Sequence, residues 1–100
     1  MTEYRPYTNL EDTEEYIIRI FDENIDSIEL KWHRDLEDRL VEAIEPTDWL
    51  VQLENRLPEK MDKPIFIPKG IWHRTIKGTN KLLIKIKKRS EEHTSELQSH

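Results

Sequence analysis

From Ser27 onward the apolar residues of this chain recur at every second position, in short runs cut apart by turn-forming residues. Ile28, Leu30 and Trp32 fall on one side of the first run, and Glu29, Lys31, His33 and Asp35 on the other. That is the pattern of a strand with one buried face. Asp35-Leu36-Glu37-Asp38 reads as a turn, and a strand follows from Arg39 to Ile44. Glu45-Pro46-Thr47-Asp48 is a second turn, leading into a strand from Trp49 to Leu53. Asn55 to Lys63, with Pro58 and a run of charges, reads as a loop. Ile65-Phe66-Ile67 is a short strand stopped by Pro68. Pro68-Lys69-Gly70 is a tight turn, because proline pre-sets one backbone angle and glycine supplies a positive one. Ile71 to Ile76 and Lys81 to Lys87 are the last strands, joined through a hairpin turn at Lys77-Gly78-Thr79-Asn80. Six short strands within roughly sixty residues predict a β-sandwich or barrel rather than a parallel sheet. Lys81, Lys85, Lys87 and Lys88 beside Leu82, Ile84 and Ile86 mark the last strand as a charged edge that discourages further pairing.

The N-terminal segment carries a different period. Thr8-Asn9-Leu10-Glu11 has the form of a capping box. Leu10, Thr13, Ile17, Ile20 and Phe21 then recur at three- and four-residue spacing, which predicts an amphipathic helix over about 10–23. Asp22-Glu23-Asn24 ends it.

One hundred residues allow a single domain with a small core. There are no cysteines, which removes disulfides, thiolate zinc sites and thiol nucleophiles. A net charge of −5 argues against nucleic acid or an anionic membrane as partner. No secretory signal or membrane-spanning run is visible, so a cytoplasmic protein is expected. Residues 89–100, Arg-Ser-Glu-Glu-His-Thr-Ser-Glu-Leu-Gln-Ser-His, share no pattern with the strand before them. They resemble the in-frame translation of a short-read sequencing adapter, and a disordered, artefactual tail is expected. His93 and His100 are therefore not counted as ligands. The expected organisation is a helical segment over 1–27, a β domain over 28–88, and the tail.

Trp-His-Arg occurs twice, at Trp32-His33-Arg34 and Trp72-His73-Arg74. His33 and Asp35 are two apart and share a strand face, while His73 follows the rigid turn at Gly70. If the two strands meet, two imidazoles and a carboxylate converge, which is the minimum donor set for a metal. Residues 62–80 now carry enough pattern to name a family. Pro68, Gly70 and His73 stand as in the second cupin motif, with Asp62 in place of its leading glycine. Residues 33–46 are similar to the first cupin motif. His33 stands at the first histidine, Asp35 at the second, Arg39 at the glutamate and Pro46 at the glycine. The resemblance spans about 28–88 and extends to small cupin-like proteins of phage and metagenomic sequences.

The resemblance implies a small antiparallel jelly-roll barrel whose ligands point into its mouth. Cupins that bind metal use three histidines and a glutamate, and Arg39 is a cation that cannot ligate. What remains, His33, Asp35 and His73, suits iron(II), manganese or zinc as a divalent cofactor. Arg39 and Gln52 are the expected contacts to a small polar or anionic ligand, and Glu37 is a spare ligand if the register shifts. The other reading of these residues is a metal-free binding or structural module, such as a phage accessory protein, with Asp35 paired to an arginine. Trp32 and Trp72 point away from the histidines and are expected to pack on the N-terminal helix or on a second subunit in a homodimer. Whether the chain is an enzyme is left open by these residues.

Overall fold

In the computed structural model, which describes residues 6–26 and 30–89, eight strands form two antiparallel sheets. They are β1 (Tyr7–Asp12), β2 (Tyr16–Phe21), β3 (Asp38–Ala43), β4 (Leu50–Leu53), β5 (Glu59–Lys60), β6 (Ile65–Ile67), β7 (His73–Ile76) and β8 (Leu82–Arg89). The larger sheet runs β1-β2-β8-β3-β6, and the smaller β5-β4-β7. Period-two alternation puts Ile17 and Phe21 of β2, Val41 of β3, Ile65 and Ile67 of β6, and Leu82, Ile84 and Ile86 of β8 on the inner face of the larger sheet. Val51 and Leu53 of β4 meet them from the smaller sheet, with Trp49, wholly buried, at the entry to that strand. The architecture is mainly β and antiparallel, as expected, but the layers face each other as two sheets rather than closing into one barrel.

The helix expected over 10–23 is not there. That stretch is the β1–β2 hairpin. Ile17 and Phe21 are its buried pair, and a four-residue spacing fits one face of a strand as well as one face of a helix. The β-branched Ile17, Ile18 and Ile20 decide for the strand. Thr13 builds the turn instead of joining an apolar face. Its N–H donates to the Tyr16 carbonyl at 2.8 Å, and its hydroxyl oxygen accepts from the N–H groups of Glu15 and Tyr16 at 3.1 and 3.0 Å. Leu10 is 59% exposed at a β-bulge, where the pairing shifts between Asn9 and Glu11.

Three further expectations change. The last strand is no edge: β8 pairs with β2 on one side and β3 on the other. Lys85 and Lys87 point away from the core, with Lys85 over the Tyr16 ring at 4.8 Å, while Lys88 follows the inward parity at the end of the strand and pairs with Asp12 at 3.0 Å. Residues 77–81 form no hairpin either, because β7 pairs with β4 and the link crosses from one sheet to the other. The loop over 55–63 contains the short strand β5. Residues 27–29, and the tail beyond Arg89, lie outside the described residues. Among the described residues, no helix is long and apolar enough to cross a membrane.

Candidate metal centre

The two Trp-His-Arg copies are brought together by an antiparallel bridge at their histidines. The His33 N–H donates to the His73 carbonyl at 2.9 Å, and the His73 N–H to the His33 carbonyl at 2.8 Å. Residues opposite one another in such a pair share a face, so both imidazoles point the same way. Their rings meet edge to face, with centroids 4.2 Å apart. The first copy is held by this single bridge rather than lying in a regular strand, and the second enters β7 only at His73. On the other face each arginine lies over the tryptophan of the opposite copy, Arg34 over Trp72 at 5.0 Å and Arg74 over Trp32 at 4.8 Å. Trp32 and Trp72 stay 40% and 41% exposed, and the helix expected to cover them does not exist.

Asp35 joins the histidines because it is tied to the turn before β7. The Gly70 N–H donates to the Asp35 carbonyl at 2.8 Å. Gly70 itself sits at φ +79°, in the left-handed region that glycine enters without strain. One ligand atom each from His33, Asp35 and His73 lie within 4.8 Å of one another. His73 is buried, Asp35 half-buried and His33 exposed at the rim.

The hydrogen bonding around this triad leaves the right atoms free. His73 Nδ1 lies 2.9 Å from the Ile71 carbonyl, and His33 Nδ1 lies 3.2 Å from the Lys31 carbonyl. A carbonyl only accepts, so Nδ1 carries the proton in each ring and the lone pair of the neutral imidazole is on Nε2. Backbone carbonyls set the orientation of metal-binding histidines in the same way. His73 Nε2 then faces Asp35 Oδ2 at 3.3 Å. That oxygen is buried and accepts no hydrogen bond among the described residues. Two acceptors facing each other at this distance call for a proton or a cation between them, and 3.3 Å suits two ligands of one ion with bonds of about 2.0–2.2 Å. The widest spacing in the triad exceeds what one ion spans, so the donors would draw together by about 1 Å on coordination. These residues fit a divalent ion with positions left open for a ligand.

The charges set the protonation states. Burial pushes the Asp35 carboxyl up, but contact with His73 and the charge of Arg39 outweigh it and hold the carboxyl below its ordinary range. Partial burial, reinforced by the neighbouring His73, lowers the pKa of His33 and favours the neutral ring a metal needs. Arg39 Nη1 lies 3.4 Å from Asp35 Oδ1, and its Nη2 donates to Glu37 Oε2 at 3.4 Å. Glu37 thus serves Arg39 and stands outside the triad.

The triad opens into a cavity of about 430 Å³ between the sheets, where Arg39, Arg19 and Lys31 supply the other charged groups. Gln52 does not reach it. Val51 and Thr75 line the cavity from β4 and β7, while Gln52 points to the opposite face. There it accepts from Arg74 Nε and Nη2 at 3.0 and 2.9 Å and donates to the Arg56 carbonyl at 2.9 Å. Strand parity explains the correction, since residue 52 shares a face with the arginines and tryptophans of the repeated tripeptide. Arg19 was missed because it sat inside a presumed helix. Its signal was present all the same: on a strand, a cation at position 19 shares the inward face of Ile17 and Phe21.

No protein-family model and no curated protein sequence matches the chain. Solved structures do. A RmlC-like cupin family protein with a double-stranded β-helix fold from Methanocaldococcus jannaschii superposes with a TM-score of 0.62 and 16% identity, over 91% of this chain and 83% of that one. A cupin domain from Bordetella pertussis gives 0.56 and 16% identity, over 89% of this chain and 100% of the other. A DMSP lyase structure gives 0.60 and 19% identity over 79% of this chain, which spans only 40% of that one. The two antiparallel sheets agree with these likenesses: the fold of this chain is the cupin fold.

Proposed function

We propose that this chain binds a divalent metal, iron(II), manganese or zinc, through His33, Asp35 and His73, and a small polar or anionic metabolite beside it. The observation that carries this reading is the convergence of one donor atom each from His33, Asp35 and His73 within 4.8 Å, with Asp35 Oδ2, buried and without a hydrogen bond among the described residues, 3.3 Å from His73 Nε2. Two histidines and one carboxylate are a donor set for such ions that leaves coordination positions open. A divalent ion held there would supply Lewis acidity to a ligand oxygen. The chain's own contribution is to aim both Nε2 atoms through backbone carbonyls, keep Asp35 ionised, and shield the site between the sheets. The metal-free reading has its own observation, since the Arg39 guanidinium already stands beside Asp35 as a counter-charge. A cytoplasmic location, a homodimer and no dealings with nucleic acid belong to the same proposal, and the net charge of −5 supports the last.

The test is elemental analysis of the full chain produced in medium supplemented with iron, manganese and zinc. One ion per chain is expected, with loss of that ion in folded His33→Ala and His73→Ala. Wild-type protein that takes up no metal even after reconstitution would leave the metal-free module as the better reading.

A further inference from the structure

We infer that Arg39 and Arg19 form a binding site for the carboxylate or phosphate group of a small metabolite, set in the cavity next to the histidines and Asp35. The inference rests on the reading of this cavity as the ligand site, but not on the presence of an ion. On the resemblance to the first cupin motif, Arg39 stands at the glutamate's place, which would put a permanent cation where that motif has a negative donor. Arg39 is poorly satisfied. Its Nε is buried with no hydrogen-bond partner among the described residues, and both its carboxylate neighbours stand at 3.4 Å. Charge-assisted hydrogen bonds from guanidinium to carboxylate are normally about 2.7–2.9 Å.

Arg19 reaches the same cavity from β2, which β8 separates from β3 in the larger sheet. It is held in place rather than spent. Its Nε donates to Asn9 Oδ1 at 2.8 Å, and its guanidinium carbon lies 3.7 Å from the centre of the Tyr7 ring. Aromatic stacking and one hydrogen bond hold the group in place without neutralising it. Burial lowers its pKa against the opposing effect of Tyr7, with the charge of Arg39 adding to the lowering and Asp35 and Asp12 offsetting part of it. Lys31 adds a third cation at the rim, against one cavity carboxylate, Asp35, with Glu37 at Arg39's flank. Cations drawn from water without full compensation are costly, and an oxyanion accepting from both guanidinium groups removes that cost. The planar fork of arginine matches carboxylate and phosphate oxygens in pairs, which a lysine does not.

The experiment is calorimetric titration of the full chain with malonate and, separately, with inorganic phosphate, each on chelator-treated and on zinc-loaded protein. At least one of the two should bind with a stoichiometry of one, and whichever binds more tightly identifies the group. Arg39→Gln should weaken that binding by roughly 10- to 100-fold. Arg19→Gln should weaken it by about tenfold, and Arg39→Lys should restore only part of the loss. Arg19→Gln and Arg39→Lys decide the matter if Arg39→Gln fails to fold. Failure of both anions to bind would overturn the proposal, as would equal affinity in the folded variants. Arginine-dependent anion binding to protein that takes up no zinc would support this site and count against the metal reading. Zinc uptake without anion binding would do the opposite.

Discussion

Gly78 lies in the link that carries the chain from the smaller sheet to the larger, and Gly78→Ala is expected to loosen both. A methyl group there would stand 2.2 Å from Asp48 Oδ1, 2.6 Å from Trp49 Cδ1 and 2.8 Å from the Trp49 backbone nitrogen. The Asp48 carboxylate can swing away, but only by giving up the Thr79 N–H at 2.9 Å and the Thr79 hydroxyl at 2.8 Å. Trp49 has less freedom. It is fully buried, its ring rests on Phe21 with centroids 5.5 Å apart, and its indole N–H donates to the Asn80 carbonyl. Forcing an extra methyl against such a residue costs about 1–3 kcal/mol, before the lost Asp48 contacts are counted. In a domain of this size each kcal/mol lowers Tm by about 4–8 °C. Urea unfolding of the full chain reads the effect directly, and Asp48→Ala should absorb part of it when combined with Gly78→Ala. Gly70 provides the contrast. No atom lies within 4 Å of a side chain placed there, so its positive φ is the only obstacle. Asparagine, which tolerates that conformation, should therefore be accepted at Gly70 and rejected at Gly78 more strongly than alanine. A loss below about 0.5 kcal/mol in Gly78→Ala, within the range of ordinary surface changes, would refute the close-packing argument.

Other consequences can be measured independently. In a double-mutant cycle, Trp32→Ala and Arg74→Ala should couple by about 0.5–1 kcal/mol in urea unfolding, and Trp72→Ala with Arg34→Ala by a similar amount. Additive losses would mean that these stacked pairs contribute no interaction energy. Metal-free protein should lose stability on acidification. The folded-state pKa of His33 lies below the ordinary 6.5, so its contribution is present above that value and declines as pH falls through the depressed one. His33→Gln should flatten this part of the profile, and an unchanged slope would show that His33 does not carry it. Asp35 and Asp48, both held below 3.8, contribute above that pH and withdraw their support only in stronger acid. Gln52→Ala should leave malonate and phosphate binding unchanged in the same titration, because its side chain faces away from the cavity; a tenfold loss would contradict that placement.

Most of the β architecture was legible from residue 38 onward because the turns there are chemically explicit. Pro68-Lys69-Gly70 closes with the Ile71 N–H on the Pro68 carbonyl at 3.3 Å, and Asp48 ties down Thr79 across the chain. The convergence of His33, Asp35 and His73 was legible too, from a two-residue spacing and a duplicated tripeptide. The hairpin at the N-terminus was not, since Ile17 and Phe21 satisfy both periods and the hydroxyl that closes the turn, Thr13, looked like part of an apolar stripe. Pairing partners were equally hidden. An alternating lysine strand reads as an edge in isolation, and only the presence of β2 and β3 on its two sides makes it central. Once residues 16–21 were assigned to a helix, Arg19 could not be seen as an inward-facing cation. The strand assignment and the second arginine of the cavity were lost together.

The duplicated tripeptide makes a local two-fold, one copy paired antiparallel with the other. Written antiparallel, Trp-His-Arg meets its own reverse, so a half-turn about an axis between the imidazoles exchanges the two copies. A slip of one residue by either copy would turn its histidine out of the cavity, and a slip of two would part each tryptophan from its arginine. The solvent-facing rungs therefore act as a register lock for donor atoms on the far side of the backbone. Variation on that outer surface would be felt at the site without touching it.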